Sequence, residues 1–198
     1  MAKEALKQVF LSASIPLEGR DPRFFATADV IAIRDSVRAL ASIVIPKGQL
    51  IWGGHPAITP LIRYVLQRMN GDVKQHVRLY QSKFFEKFFP EDNYSFEDIQ
   101  LCDASDSREK SLEKMRTDMI ANNKFSAAIF IGGMDGVLEE YEMFTKYHPG
   151  VPAFPIASTG AASKLLYDEY WKGEKRDVRL ESNYAYMSLF QDLFKEFI

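Results

Sequence analysis

The amino-acid sequence predicts an α/β fold built on a mainly parallel sheet of about six strands with helices on both faces. Two observations predict it. Short apolar runs alternate with segments of helical period from one end of the chain to the other. The helical segments are also long enough to serve as the crossovers that consecutive parallel strands require.

The strand candidates are Val9–Leu11, Leu50–Trp52, Val77–Tyr80, Ile99–Cys102, Ala127–Ile131 and Ala153–Ile156. Between the first two, Val30, Ile33, Val37, Leu40, Ala41 and Val44 keep one helical face apolar, with Thr27 as the expected N-cap. Ile58, Leu61, Ile62, Val65, Leu66 and Met69 repeat the pattern, and either Pro56 or Pro60 is the first residue of that helix. Further helices are expected near 107–122, 136–148, 160–172 and 184–197. The last carries an apolar stripe of Tyr186, Met187, Phe190, Leu193, Phe194 and Phe197. Such a stripe packs on the domain's own core or forms a homodimer contact. The irregular stretch Lys83–Phe96, with Phe84, Phe85, Phe88, Phe89 and Pro90, reads as a plug at the side or edge of the core, with a ligand lid or dimer contact as the alternative.

The whole chain, residues 1–198, is read as one domain, since 198 residues fit a single α/β unit with a sizeable core. Net charge is −2, from 25 basic and 27 acidic residues, so no overall field recruits nucleic acid or an acidic membrane. The single cysteine, Cys102, cannot form an internal disulfide or a thiolate metal site, and its place in a strand predicts a buried, inert thiol. Met1–Phe10 lacks a long apolar core, and no run approaches the length of a membrane span, so a soluble, cytoplasmic protein is expected.

Ligands of open parallel sheets bind beyond the carboxyl ends of the strands. The residues there are Ser12 and Ser14 after the first strand, and Gly53, Gly54 and His55 after the second. Gly132, Gly133, Asp135 and Gly136 follow the fifth, and Ser158 and Thr159 the sixth. Small residues leading into helices suit a phosphate, because the backbone N–H groups and the helix N-terminus both favour an anion. Tight turns alone also explain glycines there, but four such loops on one sheet edge favour a ligand. Arg116 projects into the apolar stripe Leu112, Met115, Met119 and Ile120, which requires an anionic partner or a wet cleft. Glu140 borders the face of Val137, Tyr141, Phe144 and His148, whereas Glu139 points away. A structural Arg116–Glu140 ion pair is the plainer alternative. His55 either contacts ligand or caps its turn.

Several chemistries lack their motifs. No G-x-G-x-x-G follows the first strand, and there is no Walker lysine, G-x-S-x-G elbow or H-E-x-x-H. His55, His76 and His148 form no metal-ligand spacing, so neither a metal nor a cofactor is expected.

Four segments carry a resemblance to a known family: Val9-Phe10-Leu11-Ser12-Ala13-Ser14-Ile15-Pro16, Trp52-Gly53-Gly54-His55-Pro56-Ala57-Ile58-Thr59-Pro60-Leu61, Met115-Arg116, and Phe130-Ile131-Gly132-Gly133-Met134-Asp135-Gly136-Val137-Leu138-Glu139-Glu140. The chain resembles the SLOG superfamily (SMF/DprA-LOG), in particular its stand-alone prokaryotic group associated with conflict and defence. The resemblance implies a Rossmann-like sheet, a nucleotide-derived ligand and a homodimer or larger homo-oligomer; the charge balance and the lack of long apolar runs already argue for no membrane or nucleic-acid partner.

Two activities follow from that likeness. One is binding of a cyclic ADP-ribose-like signal without chemistry, as in the sensor domain of Thoeris-type effectors. The other is N-glycosidic cleavage of a nucleoside 5′-monophosphate, as in LOG phosphoribohydrolases, with Arg116 and Glu140 matching the catalytic arginine and glutamate. The hydrolase motif P-G-G-x-G-T-x-x-E is altered here. Ile131 replaces the proline, two residues separate Gly133 from Gly136, and Val137 replaces the threonine. A ligand sensor is therefore the leading expectation, the hydrolase the alternative, and an assembly protein with a vestigial pocket the third.

Overall fold

A computed structural model describes residues 6–69 and 73–195. Phe197, the last member of the predicted C-terminal stripe, and residues 1–5 of the predicted leaderless start lie outside that range. In chain order the elements are β1 (Gln8–Ser14), α1 (Pro22–Phe25), α2 (Val30–Val44), β2 (Gln49–Trp52), α3 (Thr59–Leu66), β3 (Val77–Ser82), β4 (Asp98–Cys102), α4 (Arg108–Ala121), β5 (Phe125–Gly132), α5 (Asp135–Tyr147), β6 (Ala153–Ile156), α6 (Ala161–Tyr170), α7 (Arg179–Ser182) and α8 (Tyr186–Leu193). Every predicted strand forms, and all pair in parallel in the order β4-β3-β2-β1-β5-β6. The chain runs outward from β1 to β4 on one side, then returns to place β5 on the other side of β1. That reversal makes the β1/β5 boundary the switch point of the sheet.

The strands are buried on both faces because their side chains alternate. Val9 and Leu11 of β1, with Ala127, Ile129 and Ile131 of β5, pack beneath α2, α3 and α8. Phe10, Ala128 and Phe130 face α4, α5 and α6, where Phe10 stacks on Phe144 at 5.5 Å. A fully buried Phe or Ile contributes about 1.5–3 kcal/mol, so these two layers supply most of the driving force.

Three helix boundaries differ from expectation. Asp29, not Thr27, caps α2, its carboxylate accepting the Ala32 N–H at 2.9 Å; Thr27 Oγ1 instead accepts the Ala161 N–H at 2.9 Å. Helix α3 begins at Thr59, so Pro60 is its second residue, where a missing N–H still costs nothing. The predicted C-terminal helix, 184–197, forms as α8 and ends earlier, at Leu193; the short α7 precedes it, and Asn183 Oδ1 accepts the Ala185 N–H at 2.8 Å in the turn between them. Tyr186, Phe190, Leu193 and Phe194 are buried within the same chain and Met187 is exposed, so that stripe belongs to the core. Cys102 is buried, as its strand position predicts, and burial pushes its thiol up to about 11. Among the described residues, no helix is long and apolar enough to cross a membrane.

Candidate functional site

A cavity of about 290 Å³ lies at the carboxyl ends of β1, β2 and β3, against the N-terminal half of α5. Its position beside the β1/β5 boundary is where a sheet of this topology leaves a crevice. Strand β1 supplies Leu11 to Ser14, and the turn after β2 supplies Trp52 to Pro56. Gln81 comes from the end of β3, Arg108, Leu112, Met115 and Arg116 from α4, and Gly136, Val137 and Glu140 from α5. The i, i+4 spacings Leu112/Arg116 and Gly136/Glu140 bring each polar side chain onto the cavity face of its helix. Phe85, Phe88, Phe89 and Pro90, from the loop after β3, form the remaining wall. A wider hollow adjoins it, sharing Arg108, Leu112, Arg116 and Gly136 and adding Arg20, Asp135 and Glu139.

The polar centre is an ionic triad. Arg116 Nε donates to Glu140 Oε1 at 3.2 Å, and Arg116 Nη1 binds the Glu139 carboxylate. Arg116 and Glu140 side chains are only 13% and 15% exposed, against 57% for Glu139. Burial raises the Glu140 carboxyl above its ordinary range, while the Arg116 charge and the nearby Ser12 hydroxyl oppose the rise. Among the described residues, Ser12 Oγ is buried without a partner in hydrogen-bond geometry, as is Trp52 Nε1. His55 Nδ1 accepts the Ala57 N–H at 3.2 Å, leaving the ring proton on Nε2. Burial, and then the charge of Arg20, lower its pKa, so the imidazole stays neutral at pH 7.

Of the residues singled out in the sequence, Ser12, Ser14, Gly53, Gly54, His55, Arg116, Gly136 and Glu140 line this cavity together. Gly132, Gly133, Asp135, Ser158 and Thr159 are not among its lining residues. The Gly132-Gly133 pair is a turn rather than a cradle. Both have positive φ, 56° and 89°, and an added Cβ would meet the Ile33 side chain at 2.5 Å and that of Val137 at 2.2 Å, respectively. Their N–H groups are already used, Gly132 donating to Thr159 Oγ1 and Gly133 to the Ser14 carbonyl, each at 2.9 Å. Thr159 Oγ1 also donates to the Ile156 carbonyl at 2.6 Å, and Ser158 Oγ donates to the Asn183 carbonyl at 3.3 Å. Asp135, 66% exposed, faces Arg23 at 3.6 Å in the outer hollow.

Sequence reasoning did not single out Gln81 or Arg108. Gln81 lies inside a strand and carries no loop signal, yet its buried amide N–H donates to the Gly54 carbonyl at 3.0 Å and fixes the turn after β2. Arg108 opens α4, and its ion pair with adjacent Glu109 at 3.8 Å is solvent-exposed and weak. A Ser107 N-cap before it was the available signal.

The site's chemistry follows from these pairings. One guanidinium between two carboxylates leaves the floor short of positive charge, so its natural complement is a hydroxyl donor to Glu140 rather than an anion. Anion capacity lies at the rim, in Arg108 and in the Asp135 and Gly136 N–H groups, which have no acceptor within α5. Among the described residues, no group of three or more His, Cys, Asp and Glu is arranged for a metal.

The model of the SLOG cluster3 family matches residues 23–194. The chain belongs to the SLOG cluster3 family. No curated protein matches its sequence. The matched span includes Arg116, Glu139 and Glu140 and begins after β1.

Proposed function

We propose that this SLOG protein binds a nucleotide-derived ligand, of the cyclic ADP-ribose or related class, and acts as a sensor in signalling or defence. The observation that carries this reading is the buried Arg116–Glu140 pair set in a largely apolar cavity at the switch point of the sheet, with Glu139 binding Arg116 from the adjoining hollow. A sugar donates its hydroxyls to Glu140, and a phosphate meets Arg108 and the first turn of α5 at the rim. A thermal-shift screen with cyclic ADP-ribose isomers, ADP-ribose, NAD and AMP tests it. Stabilisation by one of them, lost in Arg108→Ala and in Glu140→Ala, is the expected result; no shift with any of them refutes the reading.

A second reading is hydrolysis of a nucleoside monophosphate, favoured by the raised pKa of Glu140, which suits a general acid. Against it stand the spent N–H groups of Gly132 and Gly133 and the missing hydroxyl at Val137, which take three donors from the expected phosphate cradle. Chromatography for free base after incubation with purine and pyrimidine monophosphates decides between the two.

A further inference from the structure

We infer that the segment Lys83–Phe88 is a stacking wall for a planar nucleobase, with Phe88 as its platform and Phe85 beside it. This rests on the nucleotide reading above and adds where, and by which side chains, the base is held.

Phe88 is 78% exposed at the cavity and has no ring partner among the described residues. A plug for the core would be covered, and this ring is not. Its neighbours on the wall are Phe85, Phe89 and Pro90, and Phe85 is braced edge-on by Phe84 at 5.1 Å. Lone exposed aromatics are ordinary, but several on one wall of a cavity are not.

The wall is also held in place. Lys83 pairs with Asp103 at 2.7 Å, and Ser82 Oγ accepts the Phe84 N–H at 3.3 Å. Beyond it, Arg63 binds Asp92, and Phe96 packs edge-on against Trp52 at 5.0 Å. A ring on such a frame loses little freedom when a ligand covers it.

Leu112 and Met115 of α4 line the same cavity, so a flat apolar body meets apolar side chains from a second element as well. The polar part of the lining, by contrast, is the Arg116–Glu140 pair. A ligand that satisfies both is planar and apolar at one end and rich in hydroxyls at the other, which is the build of a nucleoside. With the sugar at Glu140, the base is directed outward to the phenylalanines.

The test is calorimetric titration of the full chain with AMP, ADP-ribose and ribose 5-phosphate, for the unaltered protein, Phe88→Ala and Phe88→Trp. Because Phe88 is exposed, neither substitution disturbs the core. Stacking on an aromatic side chain predicts that Phe88→Ala weakens AMP and ADP-ribose roughly 5- to 100-fold. Ribose 5-phosphate should be unaffected, and Phe88→Trp should restore the affinity. If the unaltered protein binds AMP and Phe88→Ala binds it equally well, the wall is refuted while the nucleotide reading survives. Equal weakening of ribose 5-phosphate, or a changed oligomeric state with unchanged affinity, also refutes it. If neither these compounds nor any ligand of the thermal-shift screen binds the unaltered protein, the nucleotide reading itself fails and takes this inference with it; a screen ligand that binds where these do not is titrated against Phe88→Ala in their place, and equal affinity refutes the wall.

Discussion

Replacing Arg116 with methionine keeps an unbranched aliphatic side chain in the cavity wall and removes the one positive charge paired with Glu140 among the described residues. Breaking a buried ion pair from one side costs about 3–5 kcal/mol, because the remaining charge is left unpaired. Two features reduce that here: the Glu139 arm is more than half exposed and is worth under about 1 kcal/mol, and Glu140 can escape by taking up a proton. The expected loss is therefore about 2–3 kcal/mol at pH 7.5, or roughly 5–10 °C in Tm for a chain of 198 residues.

The loss should depend on pH in a defined direction. The folded-state pKa of Glu140 lies above its usual 4.5 because of burial, so the folded protein holds that proton more tightly than the unfolded chain. The resulting stabilisation is complete below the unfolded value and disappears as pH rises through the folded one. Without Arg116 only the Ser12 hydroxyl opposes the upward push, the window extends to higher pH, and the penalty shrinks toward pH 5. Urea denaturation at pH 7.5 and 5.0 measures it, with Glu140→Gln and the double variant completing a cycle. A penalty below about 0.5 kcal/mol at pH 7.5, or one that neither low pH nor Glu140→Gln relieves, would refute the electrostatic account.

Three further expectations are independent of that one. Gly136→Ala adds a Cβ 2.6 Å from Arg116 Nη2, about 0.8 Å short of an ordinary 3.4 Å contact, and must push the guanidinium off its carboxylates. As Gly136 sits in the first turn of α5, helix propensity offsets the cost; urea melts should change by under about 1 kcal/mol while affinity in the thermal-shift screen falls. Thr159→Val strands the buried Gly132 N–H and should cost about 1–3 kcal/mol in urea denaturation, with Thr159→Ser largely sparing it. Cys102, with its thiol near 11 against an ordinary 9.0, should alkylate with iodoacetamide roughly 100-fold more slowly in the native protein than in urea at pH 8.

The sheet was legible because its signal is local: an apolar run bounded by small residues reads as a buried strand wherever it occurs. The inward aim of Arg116 was legible too, since helical projection needs only the spacing of Leu112, Met115 and Ile120. Projection gave the wrong impression of Glu139, which lies on the outer face of α5 but is reached by the long Arg116 side chain. The loops were harder. Glycine after a strand looks the same whether its N–H faces a ligand or a neighbouring strand. Only the fold shows that Thr159, 27 residues on, already takes the Gly132 N–H. The aromatic wall was visible as an oddity of composition, but its exposure depends on how Lys83, Asp92 and Phe96 are tied to three different elements.

Trp52 has a practical consequence. The chain has two tryptophans, and they occupy opposite halves of the molecule: Trp52 in the cavity wall, Trp171 beside Phe154 of β6. A Trp171→Phe protein would therefore carry a single emitter, set next to the space a ligand must fill. Its emission would report occupancy directly, without label or coupling chemistry.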